Sequence, residues 1–137
     1  MTTYQTLQTV KDAAEETPSV NRYSDRDIYQ TINKNDVNYP VLCMALQSMT
    51  VRENYITYTF QLYAAERLTN GEDNRPYALA HLMDMAEEFV HTLSNKEGIV
   101  EVEFDRQYNQ AEYQTFDIVA CIYGTVEIDV ENNYQVC

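Results

Sequence analysis

Leu79, Leu82, Met83, Ala86, Phe89, Val90 and Leu93 follow the i, i+3, i+4, i+7 rule without a miss. Only a continuous α-helix gathers residues so spaced onto one side. Asn74 stands where an N-cap belongs, and Pro76 suits a first turn in which its missing N–H is not needed. Gly98 lies just past the last periodic residue, where a left-handed C-cap is expected. The sequence therefore predicts a helix over about 75–94. Its Leu/Met/Phe stripe must be covered by another layer, while His81, Asp84, Glu88 and His91 turn toward water or a neighbour.

Strands are the expected covering layer. Ile56, Tyr58, Phe60, Leu62 and Ala64 alternate with Tyr55, Thr57, Thr59, Gln61 and Tyr63, the period of a half-buried strand. Before them, the nearly unbroken apolar run YPVLCMALQSM from Tyr39 reads as a strand covered on both faces, paired antiparallel across the link TVREN. Beyond the helix, Val100, Val102 and Phe104 alternate with Glu101, Glu103 and Asp105. After the loop RQYNQAE, a long strand from about Tyr113 to Val130 keeps Phe116, Ile118, Ala120, Ile122, Val126, Ile128 and Val130 on one side. Gly124 interrupts that row, marking a bulge or the close approach of another backbone.

The N-terminal stretch carries Tyr4, Leu7, Val10 and Ala14 at helical spacing, with Thr2 or Thr3 to cap it and Pro18 to close it. Residues 1–24 are thus a docked helix or an arm that orders on assembly. The pattern weakens between 19 and 37, apart from a Ser24–Asp27 capping box that would open a short turn. The expected fold is a single α+β domain over 1–137, an antiparallel sheet of two hairpins carrying the long helix and the N-terminal helix. Hairpins of this kind leave edge strands, and Tyr/Thr-rich edges with few Lys are poorly defended against pairing with another chain.

Charge narrows the function classes. Nine Lys and Arg against 22 Asp and Glu leave a net charge of −13, which repels phosphate backbones and anionic membranes. Affinity for nucleic acid as a primary function is not expected on that ground, although DNA could pass nearby without sticking. No stretch approaches the apolar length of a membrane span, and MTTYQTLQTVKDAAEE lacks the flank and core of a signal peptide, so a cytosolic site of synthesis is expected. Cys43, Cys121 and Cys137 have no C-x-x-C spacing, and the first two are expected as buried free thiols.

Candidate chemistry is sparse. The helix face His81, Asp84, Glu88 and His91 has the spacing of a metal-binding stripe, yet holds the only histidines of the chain and lacks ligands from a second element. A solvated face is the expected reading, with a small cytosolic metal-dependent enzyme as the alternative. Three glycines cannot build a phosphate cradle, and no nucleophile elbow occurs. Cys121 lies among Val119, Ala120 and Ile122, a core setting rather than a reactive one. Glu101, Glu103 and Asp105, like Glu127, Asp129 and Glu131, follow strand alternation as solvent-facing sides. Arg67, at the end of a strand, could be held by Glu72 and Asp73 or reach across a subunit boundary. No cofactor is expected.

A run of features taken in order, DIYQTIN, VNYPV, ITYTFQLYAAERLTNGEDN, the amphipathic helix, FDIVACIYGTVEI and the terminal Cys137, resembles the small head-to-tail junction and tail-ring proteins of tailed bacteriophages. The likeness is strongest to those of crAss-like gut phages and covers about residues 25–137. Relatives commonly read Asp-Arg-Leu where this chain has Glu66-Arg67-Leu68, and Ala-Gly where it has Ile122-Tyr123. The resemblance implies a tail-terminator-like sandwich, no enzymatic activity, and a homo-oligomeric ring in the virion that contacts neighbouring portal, neck and tail proteins. DNA would pass through without specific binding, and no membrane would be involved. Tyr55, Thr57, Tyr63, Arg67 and Tyr123 are the subunit-interface candidates, and Glu72, Asp73, Glu101 and Glu103 the channel-lining ones. An adaptor that binds a host protein is a further alternative.

Overall fold

The computed structural model describes residues 2–26, 39–68, 75–105 and 118–132, and the backbone of 109–114. The element order is α1 (Thr3–Glu15), β1 (Arg22–Ser24), β2 (Val41–Val51), β3 (Tyr55–Arg67), α2 (Arg75–Ser94), β4 (Ile99–Phe104), β5 (Asn109–Gln114) and β6 (Ile118–Glu131). The class is α+β. The strands form one sheet in the order β1-β2-β3-β6-β4, with β5 also paired to β6.

Both helices cover the same side of this sheet. Alternation on β3 sends Ile56, Tyr58, Phe60, Leu62 and Ala64 beneath them, and β6 contributes Ala120, Ile122, Val126, Ile128 and Val130 to the same core. Helix α2 lays Ala78, Leu79, Leu82, Met85, Ala86, Phe89, Val90 and Leu93 onto that surface. Met83 sits half-buried at the margin, so the stripe expected from the sequence is rotated slightly toward Ala78 and Met85. Gly98 takes a φ of 89° just after the helix, a conformation that side-chain-bearing residues rarely adopt.

Helix α1 is opened by Thr2, whose hydroxyl accepts from the Gln5 N–H at 3.1 Å while the Gln5 side-chain carbonyl accepts from the Thr2 N–H at 2.8 Å. Its buried face is Thr6, Val10, Ala13 and Ala14. Tyr4 and Leu7, expected inside, are 76% and 36% exposed. Small residues win this face because α1 lies close against α2 and β1, and Thr6 and Thr17 bury their hydroxyls by donating to the Thr2 and Ala13 carbonyls. Lys96 at the end of α2 pairs with Glu16 at the end of α1.

Several expectations are corrected. The sheet is mixed rather than wholly antiparallel, because Arg22–Ser24 pairs parallel to Val41, Leu42 and Cys43. A strand so short carries too few residues to show a period. Strand β2 is covered on both faces only through Met44, and from Leu46 onward it is exposed. The last strand begins at Ile118, and residues 109–114, taken from the sequence as loop and strand start, form β5 alongside it. The Ser24–Asp27 turn, Asn74, Phe116 and Cys137 lie outside the described residues or reach beyond them. No helix among the described residues is long and apolar enough to cross a membrane.

Candidate functional site

The register divides the sheet into two ends. At one end the row Tyr23, Leu42, Ala64, Ile122, Gln110 runs from β1 to β5. At the other end, rows such as Thr50, Thr57, Asp129, Glu101 and Met49, Tyr58, Ile128, Val102 consist of β2, β3, β6 and β4 alone. Among the described residues no strand pairs with the outer side of residues 44–51 of β2 or of residues 99–103 of β4.

The face turned away from the helices also changes character along its length. Near β1 it is apolar: Val41, Cys43, Ala65, Val119 and Cys121 form a second buried cluster against Tyr39 and Tyr63. The Arg67 guanidinium lies 5.3 Å from the centre of the Tyr39 ring, and Tyr63 meets its cross-strand partner Tyr123 at 5.9 Å between ring centres. Burial, aided by Cys43, pushes the Cys121 thiol well above its ordinary range, and burial with Asp25 and Cys43 does the same to the Tyr23 phenol. Both groups stay protonated and inert, in keeping with free buried Cys43 and Cys121.

Toward the other end the same face becomes acidic. Glu103 stands directly opposite Glu127, and Glu101 opposite Asp129, with Glu131 continuing the row on β6. Like charges directly opposite on paired strands oppose each other by about 0.2–1 kcal/mol. Asp129 accepts the Thr57 hydroxyl at 2.7 Å. A shallow depression lined by Val102, Glu103, Phe104, Asp105, Thr125 and Glu127 lies on this margin.

The structure brings some candidate residues together and separates others. Glu101 and Glu103 share the acidic face, whereas Glu72 and Asp73 lie outside the described residues. Tyr55, Thr57, Tyr63 and Arg67 are on β3 and Tyr123 is on β6, and those strands are flanked on both sides. Thr57, Tyr63 and Tyr123 are paired on both sides and reach a partner through the open face and not as an edge, whereas the pairing of β3 with β2 stops at Ala65 and the Arg67 N–H donates to the Glu66 carboxylate at 3.2 Å. The free edge missed from the sequence is the uncharged second half of β2, where Leu46, Met49 and Val51 are exposed. Its signal was present: an apolar run longer than either helix could cover.

The helix face of α2 does not converge on a metal. His81 pairs with Glu66 of β3 at 3.5 Å, Glu88 accepts from the Ser19 hydroxyl at 3.3 Å, and His91 lies 3.4 Å from the Asn95 amide. Among the described residues no group of three or more His, Cys, Asp and Glu is placed to hold a metal ion. Compared with known proteins, the chain matches no family model and no curated protein.

Proposed function

We propose that this chain is a structural protein of a tailed-bacteriophage virion, assembling into a ring at the neck or head-to-tail junction that joins portal to tail around the DNA channel. The observation that carries the reading is the sheet end built from β2, β3, β6 and β4, which combines two outer strand edges without a paired strand among the described residues with an acidic open face. Repeated around an axis, such faces give a wall of negative potential, and a wall of that sign contains DNA without holding it. The order of motifs from DIYQTIN to FDIVACIYGTVEI supports the same assignment, and a helix-covered sheet accords with a tail-terminator-like subunit. Glu101, Glu103, Glu127 and Asp129 face the bore in this arrangement, and the Tyr63–Tyr123 pair and Arg67 meet the neighbouring ring.

The alternative of a metal-dependent enzyme draws no donor set from the described residues, and a host-directed adaptor would need a partner this fold does not identify. Negative-stain imaging of the purified chain tests the proposal. Closed rings with an axial opening support it. A stoichiometrically metal-loaded monomer favours the enzyme, and a monomer that captures a host protein favours the adaptor.

A further inference from the structure

The two outer edges at the acidic end of the sheet are complementary to each other, and the β4 edge is not complementary to itself. Strands β2, β3, β6 and β4 alternate in direction there, so β2 and β4 run antiparallel across the width of the sheet. A second copy placed beside β4 with its own β2 inward continues that alternation and keeps its helices on the same side. Such a contact joins two different surfaces, the type of contact that makes a ring where the rotation between copies closes.

Side chains match on both faces of the prospective joint. On the helix side, β2 presents Leu46, Met49 and Val51, which are 41%, 48% and 60% exposed. The start of α1 lies against them: the Thr3 hydroxyl is 3.7 Å from the Met49 sulfur. On β4 the helix side offers Ile99 and Val102, with exposed Val100 at the bulge between Ile99 and Glu101. On the open side, β2 presents Ser48 and Thr50, whose hydroxyls can donate, and β4 presents Glu101 and Glu103, which can accept. Two β4 edges would instead set carboxylates against carboxylates. The second half of β2 also lacks the Lys or Pro with which edges are commonly protected, and its one irregularity is the bulge between Leu46 and Ser48.

We infer that residues 44–51 of one copy pair antiparallel with residues 99–103 of the next, so that the sheet runs on from subunit to subunit. This rests on the ring reading above and assigns its joint. The test uses the full chain, measured by light scattering across a concentration series. Wild type is expected to form a multi-subunit species, and the double variant Ser48→Glu/Thr50→Glu to fall to monomer with unchanged circular dichroism. Adding Glu101→Lys/Glu103→Lys to that variant is expected to restore the assembly, because the introduced glutamates then face lysines across the joint. Wild type that is monomeric at every concentration overturns the joint, as does an assembly indifferent to Ser48→Glu/Thr50→Glu or one that the lysines fail to restore. A two-fold dimer through paired β2 edges would show that last behaviour. If the joint fails while the chain is found in virions, the pairing is wrong and the virion role stands. Absence from virions removes the role itself.

Discussion

The backbone carbonyl of Asp105 lies 3.0 Å from the point where a Cβ on Gly124 would stand, and a ring carbon of Phe104 lies at the same distance. Here the outer strand passes from β4 toward β5, and the Asp105 N–H donates to the Thr125 carbonyl at 2.9 Å. The Phe104 ring occupies the space that a side chain would take, an aromatic covering a glycine from the neighbouring strand. Gly124→Ala therefore overpacks a site bounded by backbone. It is expected to destabilise the fold by about 1–2 kcal/mol, the lower part of the overpacking range. Urea unfolding checks this, and an unchanged or raised midpoint would show that the strand relaxes to admit the methyl.

Leu82 is fully buried between α2 and the sheet, whereas Met49 on β2 is 48% exposed. Leu82→Ala is expected to lose about 2–5 kcal/mol, as large-to-small core changes do. Met49→Ala in the monomer is expected to stay within about 0.5 kcal/mol. Thermal melts of the two variants under identical conditions compare them directly.

Burial raises the Cys121 thiol above its unfolded value, so the unfolded chain releases its proton first as pH rises. Stability from this group is complete below about pH 8.5 and is lost above it, at up to about 1.4 kcal/mol per pH unit. Tyr23, raised chiefly by burial, adds a further decline above about pH 10. Unfolding free energies between pH 7 and 10.5 in reducing buffer are expected to fall with pH, and more gently in Cys121→Ala. In a Cys137→Ser background, native protein should react with thiol reagents far more slowly than unfolded protein.

Glu127 stands on central β6 opposite Glu103 of β4. Glu127→Lys turns a like-charged pair into an attractive one and is expected to stabilise the isolated chain by about 0.2–1 kcal/mol. In a ring, the same lysine places a cation on the bore, where it attracts phosphate. Particles carrying it are expected to eject DNA more slowly and to lose infectivity despite the more stable subunit. Unchanged ejection would show that this face does not line the channel.

What could be read from the sequence was set by how long each element is. Helix α2 and strand β3 each run long enough for their period to declare itself, and the covering of Ile56–Ala64 by the Leu79–Leu93 stripe followed from that. Strand β1 was hidden because a three-residue strand has no period and its partner lies well along the chain. The inward face of α1 was misjudged because tight helix packing favours Ala13, Ala14 and Thr6 over the larger Tyr4 and Leu7. The acids of the open face were visible as alternation, but their pairing, Glu103 with Glu127 and Glu101 with Asp129, is a property of register that spacing within one strand does not contain. The same holds for the β2 edge, since only the strand order tells an outer strand from an inner one.

Quantitative mass spectrometry of virions purified from a culture that expresses the chain tests the proposed virion role. The expected result is a fixed low copy number per particle, stoichiometric with the portal ring, that remains after washing at high salt. Abundance in infected cells together with absence from the particles would contradict it.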